Sequence, residues 1–486
     1  MNTPVAQRQE KDTQETITSA GTNADAHMLR STYDKQKAAY MKEPEVSYEQ
    51  RMNDLRTLKR MLMKHSREIK AAIAQDYGTR SNFETQLGEI MTSAGFIKDI
   101  SSKLKKWMKP QKRHVNHLMF PGGKNRLIPQ PLGVVGIIVP WNFPIYLAFP
   151  PIATAFAAGN RAMVKMSENS ANLTNVLMEI TPKYFPEEKL AFFQETGSVG
   201  IEFSKIPYDL LMFTGSPDTA KKVMAAAAKN LTPVILELGG KNPVILDPEY
   251  PLQKAINRIV FAKQSNAGQV CLNVDYVFVH ENKLEEFISL TKATTQRMVP
   301  DINSKEFTSI IDDASMDRLE NTMNDAEKNG ARVINMSEQE INHADKKFPF
   351  YLVVNPTAEM EISQRETFGP MMTVKTYNDS DEVIRHINAG ERPLGLYVFS
   401  YNKKLTSKYI AKTLSGGVTV NDIMLHLAQD DLPFGGVGNS GMGSYQGFEG
   451  FAAFSKMRPV FYQPRFSLVS LLTPPYKSWV KDLINK

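Results

Sequence analysis

LGVVGIIVP, residues 132–140, is a run of small and β-branched apolar residues with no polar interruption. A strand with one wet face alternates apolar and polar residues, whereas an unbroken apolar run fits a strand buried on both faces, as in a parallel sheet. The pattern recurs in RAMVKM (161–166), LAFFQE (190–195), DLLMFTG (209–215) and PVILELG (233–239), with stretches of helical character between. Strand–helix alternation of this kind predicts an α/β fold with a parallel sheet between helices. Ligands of such sheets sit beyond the carboxyl ends of the strands. The residues that follow each run are therefore the first to inspect.

After the first run stand Trp141, Asn142, Phe143 and Pro144. The Asn142 amide can donate to an oxyanion, or it can cap a helix starting near Ile145 and Tyr146. After the second come Lys165, Ser167 and Glu168, a cation for phosphate or ribose with a carboxylate able to accept from ribose hydroxyls, or else a surface charge pair. Thr214, Gly215, Ser216 and Pro217 follow the fourth. Ser216 suits an N-cap and Pro217 the first helical position, and such a helix start can hold a pyrophosphate on its free N–H groups. Glu237 lies inside an apolar strand end, where a buried carboxylate is rare and costly, so it is a candidate general base with a raised pKa.

Downstream, VILD, DYVFVH, ARVIN, YLVVN, TVKTY, LYVFS and GGVTVN predict a second α/β region. It contains FAKQSNAGQVCLNVD (261–275) and with it Cys271, the one cysteine of 486 residues. A lone cysteine forms no internal disulfide and no CxxC pair. It is a small buried hydrophobe or a nucleophile, and the second role calls for nearby backbone donors and a lowered thiol pKa. Gly436-Val-Gly-Asn-Ser-Gly441 matches GxGxxG, but it lacks the strand before and helix after that the dinucleotide fingerprint requires, so it reads as a glycine-rich loop.

Upstream, Ser47 and Gln50 form a capping box before Met52, Leu55, Leu58, Leu62, Ile69 and Ile73 at helical spacing. A second helix is expected from Phe83 to about Trp107, and HVNHLMFPGGKNRLIPQP predicts a hairpin outside the main sheet. Residues 1–30 are polar and read as a disordered tail. The chain is 42% hydrophobic and 23% charged, with net charge +6, ordinary for a globular protein of more than one domain. The lysines between Lys103 and Lys112 have only Trp107 interleaved, which argues for a solvated helix end rather than nucleic-acid binding. No apolar run is long enough to span a membrane and no signal peptide is evident, so a cytoplasmic location is expected.

PWNFP (140–144), KMSE (165–168), FTGS (213–216), ELGGKNP (237–243), NAGQVC (266–271), ETFGP (366–370) and PFGGVGNSGMG (433–443) resemble, in order, the motifs of the aldehyde dehydrogenase superfamily. Within it the chain is most similar to the class 3 branch and its bacterial coniferyl aldehyde members, through NDIMLHLAQDDLPFGGVGNSGMG and FSKMRPVF. The resemblance implies a Rossmann-type cofactor domain (31–113 and 131–240), an α/β catalytic domain (241–425), oligomerisation elements (114–130 and 426–465) and a C-terminal extension (466–486). It implies Cys271 as nucleophile, Asn142 as oxyanion donor and Glu237 as the base that activates water. Trp141, Lys165, Glu168, Gly215, Ser216, Glu366 and Phe368 would contact NAD, with NADP as the alternative. Tyr146, Leu147 and Phe434 would line a tunnel for an aromatic or medium-chain aldehyde. A homodimer is implied, and no metal. Met166 stands where the family often has proline, and Ala220 near a position where it often has glycine. A CoA-acylating enzyme and a non-catalytic dinucleotide-binding protein are the rival readings.

Overall fold

The computed structural model describes residues 4–465 and 473–485. Its strands in chain order are β1 (Gln111–Arg113), β2 (Lys124–Pro131), β3 (Val134–Ile138), β4 (Arg161–Lys165), β5 (Leu190–Phe193), β6 (Leu210–Thr214), β7 (Val234–Glu237), β8 (Asn242–Leu246), β9 (Val274–His280), β10 (Arg332–Asn335), β11 (Tyr351–Val354), β12 (Met371–Tyr377), β13 (Gly395–Phe399), β14 (Gly417–Val420), β15 (Gly441–Met442) and β16 (Ser455–Tyr462). They form three sheets.

The first sheet has the order β15-β7-β6-β3-β4-β5, parallel except for β15. Every apolar run expected to be a strand is one, and β3 and β6 are buried along their whole length. The chain starts in mid-sheet at β3, moves out through β4 and β5, then returns to the other side of β3 as β6 and β7. The order therefore reverses between β3 and β6, where a crevice opens at the carboxyl ends. Trp141–Asn142 and Gly215–Ser216 emerge on its two sides.

The second sheet runs β10-β11-β12-β9-β8-β13-β14, with only the β10–β11 pair antiparallel. β8 begins at Asn242, directly after the Gly239-Gly240 link that leaves the first sheet. As a result the amino ends of β8, β9 and β12 meet the carboxyl ends of the first sheet. The hairpin is present as β1 and β2, and β2 pairs along its whole length with β16. This three-stranded sheet stands apart from the other two.

Ser47 caps the helix Tyr48–Lys64, its hydroxyl accepting from Gln50 N. The expected second helix runs Asn82–Thr85 and Thr92–Trp107 with a π-helical segment, Gln86–Met91, between them. These helices, with the helix Ser66–Tyr77, bury Leu55, Leu58, Ile69, Ile97 and Leu104 against the helix Phe149–Ala158 and one face of the first sheet. The disordered tail expected through residue 30 is not what is found. Pro4–Lys42 is a helix, Leu29 is fully buried, and Asp25 accepts from Thr196 and Ser198. Sparse apolar residues such as Leu29 and Tyr33 suffice because they pack on β3 and β4 rather than on one another. Of the C-terminal extension, residues 466–472 lie outside the described part.

Candidate active site

Cys271 sits on a loop whose polar groups are almost all engaged. After the helix Leu252–Gln264, Asn266 (φ 50°), Ala267 (φ 49°) and Gly268 (φ 76°) are successively left-handed. Such a run is strained for residues with a Cβ and needs support from its surroundings. Gln269 provides it. Its Nε2 donates to Asn266 O (2.9 Å) and Ser309 O (3.1 Å), and its Oε1 accepts from Ile311 N (3.0 Å). Asn242 Nδ2 donates to Cys271 O (2.8 Å) and Asn273 O (2.9 Å), and Tyr397 Oη donates to Leu272 O (2.5 Å). Glycine is required at 268, since a Cβ there would lie 2.2 Å from Gly369 O. The partly exposed thiol accepts from the backbone N–H groups of Cys271 and Leu272.

Asn142 faces this loop instead of capping a helix. Its Nδ2 donates to Gln269 O at 3.2 Å, which leaves the second amide hydrogen for another acceptor. Its carbonyl receives Tyr77 Oη (3.1 Å), Arg80 Nη1 (2.9 Å) and Asn266 Nδ2 (3.2 Å). Arg80 is fully buried and paired with Glu89 at 3.1 Å. Glu89 lies in the π-helical segment and accepts from Ile145 N (2.7 Å). A buried ion pair between the Arg80 loop and the π-helical segment thus clamps the Asn142 turn from behind.

Glu237 ends β7, is 3% exposed, and neither carboxylate oxygen has a hydrogen-bond partner. Burial alone raises its pKa well above the ordinary carboxylate value. The thiol departs from expectation. Burial first, then the charges of Glu366 and Glu237, push Cys271 up to about 12. The two backbone N–H groups pull the other way without overcoming desolvation and two carboxylates. The cysteine therefore needs a proton acceptor nearby, and a carboxylate with a raised pKa is a suitable one.

On the other side of the crevice a cleft of 860 Å³ is lined by Pro217, Gly239, Gly240, Lys241, Arg365 and Glu366, among others. Ser216 caps the helix Pro217–Ala228, accepting from Thr219 N (3.3 Å). Lys165 Nζ is 2.6 Å from Glu195 and 3.9 Å from Glu168. Burial, with Asp275 adding to it, pushes Glu366 up to about 8, although it accepts from Gly240 N–H. Thr367 is tied to Asp275 through its N (2.9 Å) and Oγ1 (2.8 Å), and Arg318 donates to the carbonyls of Thr367 and Phe368. Phe368 is left-handed (φ 42°), and its ring meets Trp141 edge-on at 5.7 Å. The donor set suits a dinucleotide: an ammonium and carboxylates for ribose hydroxyls, a capped helix start for phosphate. At Gly239 a Cβ would collide with the Glu366 carboxylate, so glycine is what lets the segments after β7 and before β12 approach.

Tyr146 and Leu147 follow Asn142, both 8% exposed. Tyr146 Oη accepts from Gln446 Nε2 at 3.0 Å. Phe434 stacks on His426 and meets Tyr445 edge-on. The glycine-rich loop contributes Asn439 to the lining of the 860 Å³ cleft. Its Gly441 pairs with Glu237 in the ladder between β15 and β7.

A sequence profile described as "Aldehyde dehydrogenase family" matches residues 4–460. The chain belongs to the aldehyde dehydrogenase family. It is 41% identical over 461 residues (95% of this chain, 96% of the relative) to a probable coniferyl aldehyde dehydrogenase of Pseudomonas aeruginosa. It is 34% identical over 441 residues (90% of this chain, 92% of the relative) to aldehyde dehydrogenase family 3 comG of Dictyostelium discoideum. Among solved structures it is similar to Staphylococcus aureus AldH in a substrate-bound state, with TM-score 0.88 and 30% identity, covering 94% of this chain and 99% of that one. This aldehyde dehydrogenase is an NAD(P)-dependent oxidoreductase that converts an aldehyde to its acid.

Glu366, which lines the 860 Å³ cleft, and Glu237 lie within electrostatic reach of Cys271, Asn142 bonds the cysteine loop at Gln269 O, and Phe368 meets Trp141. Glu168 is peripheral, its side chain 66% exposed. Sequence reading missed Tyr77 and Arg80, which donate to the Asn142 backbone carbonyl, and Glu89, which accepts from Ile145 and Tyr146; all three come from a part of the chain distant in sequence, and no local signal marks them. It also missed Glu195, whose carboxylate at the end of LAFFQE was as visible as Lys165 at the end of RAMVK. Tyr445 escaped as well, its buried hydroxyl within electrostatic reach of Glu237 and Cys271.

Proposed function

We propose that this enzyme oxidises aromatic or medium-chain aldehydes, coniferaldehyde among them, with Cys271 as nucleophile, Asn142 as oxyanion donor and Glu237 as base. The observation that carries the reading is Glu237 itself. It is a buried carboxylate with no partner, within electrostatic reach of a thiol whose loop is pinned on every side. Glu237 takes the thiol proton and Cys271 sulfur attacks the aldehyde carbon. The oxyanion is held by the Cys271 N–H and the spare Asn142 amide hydrogen. Bound NAD(P) supplies the hydride acceptor, held by Lys165 and Glu168 at the adenine ribose, Gly215 and Ser216 near phosphate, and Trp141, Glu366 and Phe368 toward the nicotinamide. The oxidised carbon remains on Cys271 as a thioester. Glu237 passes the thiol proton to solvent and then deprotonates water, the hydroxide displaces the sulfur as thiolate, and the acid departs.

Tyr146, Leu147 and Phe434 give the aldehyde an apolar, partly aromatic approach. The resemblance to a relative named for coniferyl aldehyde favours an aromatic substrate. We place the cofactor domain at 31–113 and 131–240 and the catalytic domain at 241–425. A homodimer would be built through the β2–β16 sheet, where Phe461 and Tyr462 stand exposed. A cytoplasmic site of action fits a chain with one cysteine and no internal disulfide. NADH formation with coniferaldehyde, benzaldehyde and hexanal, wild type against Cys271→Ala, tests the chemistry. Turnover that survives in the variant would refute the thiol mechanism, and turnover only with added CoA would favour the acylating rival. Light scattering on the purified chain tests the dimer.

A further inference from the structure

We infer that Glu195 sets the cofactor preference of this enzyme, toward NAD and against NADP, by occupying the ammonium group of Lys165. The inference rests on the proposed placement of the adenine ribose at Lys165 and Glu168. Lys165 ends β4, and its side chain is only 9% exposed. Its Nζ lies 2.6 Å from Glu195 and 3.9 Å from Glu168, so the nearer carboxylate is not the one next to it in sequence.

Glu195 is held as well as Lys165 is. Its side chain is 13% exposed, and its two oxygens accept from Gly197 N and Gly200 N, each at 2.9 Å. Burial raises its pKa, but Lys165 and the two N–H groups outweigh that and leave the carboxyl below its ordinary range. A Cβ at Gly200 would lie 2.7 Å from Glu195 Oε2, so the first turn of the helix Val199–Ser204 closes directly over the pair. On the same loop Thr196 and Ser198 donate to a further carboxylate, Asp25, each at 2.6 Å.

The charge balance follows. One ammonium lies between two carboxylates with a third close by, so the ribose edge of the site is net negative. A ribose 2′-hydroxyl can donate to a carboxylate there, which is how dinucleotide sites of this architecture select NAD. A 2′-phosphate adds about −1.5 to −2 of charge and finds its natural cation already neutralised at 2.6 Å. Lys165 alone would read as a phosphate ligand. Paired with Glu195 it becomes a fixed post that excludes one.

The test is calorimetric titration of the full-length protein with 5′-AMP and with 2′,5′-ADP, which reports binding independently of turnover. Wild type should bind 5′-AMP the more tightly. Glu195→Gln should shift the ratio of dissociation constants toward 2′,5′-ADP by at least about tenfold, as expected for removing one poorly screened charge. An unchanged ratio in a folded Glu195→Gln protein would overturn the inference, as would wild type binding the two ligands equally. Glu195→Thr serves if Glu195→Gln does not fold. Lys165→Met separates the two layers of the argument. If it weakens both ligands while Glu195→Gln leaves their ratio alone, the inference alone fails. If it moves neither ligand, the ribose placement fails and the inference falls with it.

Discussion

The loop that carries Cys271 and the strand end that carries Glu237 lie within electrostatic reach of each other under opposite physical regimes. Around Cys271 the side chains of Gln269, Asn273 and Asn242 are all bonded to backbone, and a left-handed run of backbone is held in place by that network. Glu237 is as deeply buried and bonds to nothing through its carboxylate. A buried carboxyl without partners costs stability, and the cost keeps its basicity high. In the proposed roles the nucleophile has to be aimed, and hydrogen bonds hold its loop. A base has to exchange protons, and partners would hold its pKa down.

Removing the sulfur should have the largest effect. Cys271→Ala should lower turnover at least about a thousandfold while the far-UV spectrum stays native. Next, Glu237→Gln should lower kcat by about 10²–10⁴ and slow the first NADH-forming turnover as well as the hydrolysis, because the same carboxylate takes the thiol proton and activates water. The pH profile sharpens this. Glu237 holds its proton well above the ordinary carboxylate range, so wild-type kcat should fall as pH drops through that raised pKa. In Glu237→Gln that limb should vanish, and its survival would assign the base elsewhere. Asn142→Ala should cost about 10²–10³ in kcat through the lost oxyanion donor, with a small change in KM for NAD.

On the hydrogen-bonded side, Gly268→Ala should destabilise the fold by about 1–3 kcal/mol, read as a lower denaturant midpoint. The smallest effect concerns the thiol. The charges of Glu366 and Glu237, in that order, raise the Cys271 pKa. Iodoacetamide alkylation above pH 8 should therefore speed up in Glu366→Gln, and by less in Glu237→Gln. The reverse order would mean that Glu237 is the nearer charge to the sulfur.

Legibility divided along the same line. The first sheet could be read because each of its strands is buried on both faces, which leaves an apolar run whatever packs on it. Its carboxyl-end residues, Asn142, Lys165, Ser216 and Glu237, were found by rule. That rule does not reach Cys271 and Glu366, which precede β9 and β12 and lie at the amino ends of the second sheet. They were identified by resemblance. The N-terminal helix was misread as disordered because its few apolar residues find their partners in β3 and β4, not in one another.

The sequence by itself determined the fold class, the strands of the first sheet and the family, since these depend on short runs and local residue types. Only the tertiary structure decided the electrostatics. Whether a carboxylate is paired, whether a thiol lies between two acids, and whether Lys165 is free or held by Glu195 depend on distances between residues far apart in the chain. Charge–charge energies depend on separation in space and on exclusion of water, and neither is written in the order of the residues.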